Sequence, residues 1–167
     1  MRSKRIAFVV LVATALAVSA VGAAHGAKPV RVPAPSSGFS FPPGVVCPFA
    51  VEAEVVENRQ TQTTFSNGTV AIHGFFEARL LANGNELDFV TPGSIFLTPR
   101  ADGLLDFRSA GPIIIFFFPG DAGPGDTSTG RTYLLRGHVE IVVDPATFEF
   151  LEFAHSGPAE DLCAALA

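Results

Sequence analysis

Few groups in this chain have the type and spacing to do chemistry. His73, His138 and His155 are the metal-binding and acid–base candidates. A zinc centre gathers three or four nitrogen, sulfur or oxygen ligands, commonly with two of them close in sequence. These histidines stand far apart, each among charged residues on an alternating segment, and read as surface side chains. Two carboxylate pairs, Glu52 with Glu54 and Glu86 with Asp88, fall on single strand faces. Glycoside hydrolysis uses two carboxylates several ångströms apart, but any two residues two apart on a strand meet that distance. A solvated face explains both pairs. There is no G-x-S-x-G nucleophile elbow. The loop Gly120-Asp-Ala-Gly-Pro-Gly-Asp126 offers two aspartates and several carbonyls to a calcium ion. It lacks the EF-hand spacing, so the simpler reading is an irregular loop, Gly120 to Gly130. Asn67-Gly68-Thr69 matches a glycosylation sequon, but Asn-Gly is already the strongest short hairpin signal.

Cys47 and Cys163 are the remaining candidates. Two cysteines in an exported chain read most simply as one disulfide. Two free thiols or a metal pair are the alternatives, and a metal would want further ligands at close spacing. A bond would close a loop of more than a hundred residues and tie the first strand to the C-terminal segment. No catalytic, cofactor-binding or metal-binding residue is assigned.

Export itself is read from the first residues. Arg2, Lys4 and Arg5 precede an apolar run from Ile6 to Val21, and small residues follow from Gly22 to Ala27. That order of charged, apolar and small is the layout of a secretory signal peptide. The run is shorter than the roughly 20 apolar residues a membrane span requires. Cleavage could follow Ala23, Ala24, Gly26 or Ala27. Residues 1–26 are therefore expected to be a cleaved signal peptide, 27–44 a proline-rich flexible tether, and 45–167 a single β domain. Phe39 and Phe41 are placed to dock the tether.

Within the domain the hydrophobic pattern has period two. Phe49, Val51, Ala53 and Val55 alternate with Glu52 and Glu54. Val70, Ile72, Phe76, Ala78 and Leu80 share one face, with His73, Glu77 and Arg79 on the other. Leu87 and Phe89, the segment Ile95–Thr98, and Leu105 with Phe107 follow between turn residues. Ile113-Ile-Ile-Phe-Phe-Phe118, bounded by prolines, predicts a strand buried on both faces. Tyr133, Leu135, Val139, Ile141 and Val143 line another face, and Phe148–His155 forms a last strand. A short helix capped by Ser156 is expected at the C-terminus. The expected fold class is all-β: one antiparallel sandwich or barrel of about eight or nine strands with a short C-terminal helix.

Composition narrows the partners. The chain has 11 basic and 16 acidic residues. Loss of the three basic residues of the leader leaves 8 against 16, a net charge near −8 with histidine neutral. Nucleic-acid binding needs basic patches, which this balance disfavours, and anionic membrane surfaces are disfavoured likewise. Sixteen phenylalanines, one tyrosine and no tryptophan supply apolar volume without polar handles.

The stretches Phe41-Pro-Pro-Gly-Val-Val-Cys-Pro-Phe49 and Asp161-Leu-Cys-Ala-Ala-Leu166, flanking a glycine-rich middle, resemble an uncharacterised family of small secreted all-β proteins from high-GC Gram-positive bacteria. The resemblance implies export, β architecture and a cysteine pairing between the two ends. It transfers no activity. The expectation is a secreted, non-enzymatic β domain with a binding or cell-surface accessory role and no cofactor. Two alternatives are a carrier holding a small apolar ligand in a phenylalanine-lined barrel, and a hydrolase with an unrecognised site.

Overall fold

The computed structural model describes residues 28–167, so the expected signal peptide lies outside the described residues. The described chain is an antiparallel meander of seven long strands, each broken once at a corner. The first comprises β1 (Val30–Pro33) and β2 (Phe39–Phe41), the second β3 (Val51–Asn58) and β4 (Thr61–Thr64). The third comprises β5 (Val70–His73) and β6 (Phe76–Ala82), the fourth β7 (Asn85–Val90) and β8 (Ser94–Pro99). The fifth comprises β9 (Leu105–Ala110) and β10 (Ile113–Phe117), the sixth β11 (Arg131–Leu135) and β12 (His138–Val143). The seventh comprises β13 (Phe150–Ser156) and β14 (Ala159–Asp161). A single helical turn, α1 (Leu162–Ala165), follows.

Each long strand pairs with the next, so chain order and spatial order coincide. On one side of the corners all seven join into one sheet, β1-β4-β5-β8-β9-β12-β13. On the other side the ribbon splits between β7 and β10 into a four-stranded sheet, β2-β3-β6-β7, and a three-stranded sheet, β10-β11-β14.

The three-stranded sheet is the middle layer, and its sequence shows why. Ile114, Phe116 and Leu134 join Phe41, Val46, Val51, Leu80 and Leu162 in one core, against the four-stranded sheet. Ile113, Ile115, Phe117 and Leu135 join Leu105, Val139 and Ile141 in a second core, against the seven-stranded sheet. A strand covered on both faces must be apolar at every position, and Ile113–Phe118 is. Burying a phenylalanine completely contributes about 2–3 kcal/mol, so two such layers dominate the fold's stability.

The corners are marked by glycine. Gly38, Gly74, Gly93, Gly111, Gly137 and Gly157 fall between the halves of six of the seven strands; at all but Gly111 a Cβ would crowd a backbone carbonyl oxygen, and Gly111 has a φ of +100°. The remaining corner, at Arg59-Gln60, follows a register shift between Val55 and Glu57. That extra residue shifts the alternation of β3 by one position before the chain enters β4.

Three sequence expectations are revised. Residues 30–33 and 39–41, inside the expected tether, are strands paired with β4 and β3, and Phe41 and Val46 are core. Proline is tolerated there because β1 and β2 are edge strands, needing ladder donors on one side only. The eight or nine expected strands are fourteen segments, since the corners divide each long strand. The helix starts later than expected: Ser156 ends β13, and Asp161 is the N-cap, accepting from the Ala164 N–H.

Cys47 and Cys163 form a disulfide across 116 residues, with both cysteines in the first core. It joins the β2–β3 connection to α1. Thr132, fully buried beside it, donates its hydroxyl to the Val46 carbonyl at 3.0 Å.

Candidate functional site

Residues directly opposite one another across a ladder share a face, so the pairing registers define the outer surface of the seven-stranded sheet. One row across it reads Pro33, Thr61, His73, Ser94, Ala110, His138, Ser156. The next reads Arg31, Thr63, Ala71, Phe96, Arg108, Glu140, Ala154. Val70, Ile72, Ile95 and Leu97 occupy the opposite, apolar face.

The β1-β4-β5-β8 half of this outer surface is the candidate site. Phe96 stands on it 39% exposed, with the His73 ring edge-on at 5.2 Å between centroids. His73 Nδ1 lies 2.8 Å from Ser94 Oγ. Arg31 lies along the surface, its Nε and Nη2 donating to Thr61 Oγ1 at 3.2 and 3.0 Å. Ala71, fully buried, leaves the floor between Thr63 and Phe96 flat. Phe65, next in the alternation after Thr61 and Thr63, is also 39% exposed. Large apolar side chains exposed on a strand face cost water contact that the fold alone does not require, and they mark contact surfaces when grouped.

The other half of the face differs. A cleft of about 130 Å³ between Asp106, Arg108, Glu140, Glu152 and Ala154 is lined by groups already engaged: Arg108 meets Glu140 at 3.5 Å and Arg100 meets Asp106 at 3.4 Å. A second groove, of about 420 Å³, lies open along Ser40, Pro42, Ala50 and Glu52 at the edge of the four-stranded sheet. Enclosed small-molecule sites are typically about 300–1,000 Å³ with mostly apolar walls. The first cleft is below that range, and the second is a surface trough.

The sequence-predicted groups do not converge. His73 and His138 share a face but stand three strands apart, about 14 Å at the usual strand spacing. His155 lies on the opposite face, with Nε2 3.1 Å from the Arg136 carbonyl. Glu86 and Asp88 are both held by Arg79, at 2.6 and 2.8 Å. The Asp88 hydrogen bond, with the nearby Glu86 and Glu54 charges, holds the Arg79 guanidinium above its ordinary range. Among the described residues no group of three or more histidine, cysteine or acidic side chains is placed to hold a metal.

The glycine-rich loop is built on its own carboxylates. Asp121, 2% exposed, accepts the Phe118 N–H at Oδ2 (2.7 Å) and the Phe150 N–H at Oδ1 (3.3 Å). Thr127 donates to the Asp121 carbonyl. Asp126 accepts the Ser128 N–H at 2.8 Å, which holds its carboxyl below the usual range. Both aspartates thus accept from backbone donors in and beside the loop.

Sequence reasoning missed the outer-face cluster. Phe96 and Thr98 were visible as part of one short strand, but only register shows which strands lie beside it.

No known protein family, curated protein or solved structure matches this chain. Among the described residues no helix is long and apolar enough to cross a membrane.

Proposed function

We propose that this is a secreted, non-enzymatic binding domain of the cell surface whose contact surface is the β1-β4-β5-β8 half of the outer sheet face. One observation carries the reading: Phe96 and Phe65 stand exposed on a flat, hydroxyl-rich surface with a covered alanine between flanking strands. The disulfide, sequestered in the core, fits the oxidising exterior implied by the leader.

The phenylalanines support this reading over a carrier. Phe39, Phe41, Phe116 and Phe118 pack on one another in one core, with centroids 5.1–5.8 Å apart. Phe117 packs edge-on against Tyr133, Phe150 and Phe153 in the other. Rings that fill each other's space at such distances line no cavity. For hydrolysis, His73 and Ser94 supply a base and a hydroxyl within reach. Yet neighbouring strands on both sides of β5 and of β8 occupy the backbone donors that an oxyanion would need.

Co-sedimentation with insoluble cell-envelope material tests the proposal. Intact protein is expected in the pellet, and Phe96→Ala in the supernatant with an unchanged circular dichroism spectrum. Equal sedimentation of both proteins would place the contact elsewhere.

A further inference from the structure

The four strands that carry the candidate half of the face hold no acid. All sixteen aspartates and glutamates lie outside β1, β4, β5, β8 and the Phe65–Thr69 turn between β4 and β5. The charged residue on those four strands is Arg31; along their β9 border stand Arg108, paired with Glu140 at 3.5 Å, and Asp106, opposite Thr98 and paired with Arg100 at 3.4 Å. In a mature chain near −8, an anionic polymer meets less repulsion here than over the rest of the surface, since the acids on its border, Asp106 and Glu140, are each paired with an arginine.

The side chains on this surface further define what fits. Thr61, Thr63, Ser94 and Thr98 carry hydroxyls that both donate and accept, and His73 adds a ring nitrogen. Such groups match a ligand that is itself densely hydroxylated. Phe96 lies on β8, and Phe65 lies beyond the end of β4, two strands away. At about 4.8 Å per strand and 3.4 Å per residue, the two rings stand roughly 12 Å apart along a diagonal. Two aromatic faces so spaced on a flat surface suit the apolar C–H faces of separated sugar rings in one extended chain.

We infer that the occupant of this face is an acidic polysaccharide, its sugar rings resting on Phe96 and Phe65 and its carboxylates reaching Arg31. The inference rests on the binding role proposed above and names its ligand class.

The test measures affinity of the intact, oxidised protein for three soluble polymers: polygalacturonic acid, a neutral glucan and poly-glutamate. Binding to polygalacturonic acid alone is expected, weakening as salt rises. Phe96→Ala should weaken it about tenfold, the loss typical of a central aromatic contact. Arg31→Ala should weaken it about threefold at low salt and hardly at all at high salt. Thr63→Glu, which puts a charge on the face without removing an aromatic, should abolish it. Equal binding to poly-glutamate would reduce the interaction to charge and overturn the inference. Equal, salt-independent binding to the neutral glucan would overturn its acidic part. Phe96-dependent sedimentation with envelope material and no affinity for polygalacturonic acid would overturn the ligand class while leaving the binding role standing. Loss of that sedimentation result would remove the role itself.

Discussion

Gly137 and Gly157 stand against each other at the corners of the sixth and seventh strands, each in the place a side chain would need. A Cβ on Gly137 would overlap the Ser156 carbonyl oxygen, and one on Gly157 would overlap the Arg136 carbonyl oxygen. Both also have positive φ, +107° and +128°. The second core depends on this corner, because only a sharp fold brings Leu135 and Val139 of one long strand onto the same apolar cluster.

Gly137→Ala therefore combines a steric overlap with a backbone conformation that L residues rarely adopt. The expected loss is about 3–4 kcal/mol, a large share of the 5–15 kcal/mol that holds a typical domain. Gly84→Ala is the control. Its φ is +81°, but nothing lies within 4 Å of the added carbon, so the conformational cost alone, about 1–2 kcal/mol, remains. Urea melts of the two variants should separate clearly. Equal midpoints would show that the corner yields to a methyl group.

The Cys47–Cys163 bond constrains the unfolded chain by closing 116 residues. The chain-entropy relation gives about 4–5 kcal/mol for so long a loop, and native disulfides usually return about 2–5. Reduction of the folded protein should be slow, since both cysteines are buried, and a reductant should act mainly through unfolding. Melting with and without reductant checks the first figure. Thiol release across a urea series checks the second, and rapid release in native buffer would contradict the buried placement.

The period-two pattern of the sequence carries most of this architecture. Ile113–Phe118 announced a doubly covered strand because no polar residue interrupts it, and Asn67-Gly68 announced the β4–β5 hairpin. What stayed hidden depended on contacts distant in sequence. Prolines at 33, 35, 42 and 43 made β1 and β2 look like a tether, since only the pairing partner reveals that an edge needs no donors on its outer side. Glycines within long strands looked like strand ends, although the chain continues past them into a second sheet. The candidate face was hidden for the same reason. Thr61, Thr63, His73, Ser94 and Phe96 come from three strands, and no local spacing shows that they lie side by side.

Asp121 should behave as a structural anchor. Asp121→Ala leaves the buried Phe118 and Phe150 amides without that acceptor, at about 1–3 kcal/mol each, so a combined loss of about 2–5 kcal/mol is expected. Millimolar calcium should leave the melting temperature of the unaltered protein unmoved, because the carboxylate already faces backbone donors. A calcium-dependent rise that disappears in Asp121→Ala would return the loop to the role its composition first suggested.

Asp126 gives the loop a predictable acid limb. Its carboxyl is held below the ordinary aspartate value, first by the Ser128 backbone N–H and then by the Ser128 side chain. A folded value below the unfolded one means that the contribution to stability is fully present above the unfolded value. It is lost as pH falls through the folded one. Carbon-detected titration of the Asp126 carboxyl should place its midpoint below that of a model peptide, and in Asp126→Asn the Ser128 amide shift should no longer follow acid. A midpoint at or above the peptide's would remove the turn as the cause.

The three-layer arrangement makes its own forecast along β10, where successive side chains enter different cores. Phe117 is completely buried and rests edge-on against Tyr133, Phe150 and Phe153, so Phe117→Ala should cost about 3–5 kcal/mol. Phe116 enters the other core, against Phe39 and Phe41, and Phe116→Ala should cost a similar amount. Because the two cavities open on opposite sides of one strand, with no shared aromatic partner among these contacts, the double variant should lose nearly the sum. A two-layer sandwich would give a different result. One of the two rings would then face solvent, its truncation would fall within about 0.5 kcal/mol of neutral, and chemical denaturation of the two single variants would distinguish the architectures directly.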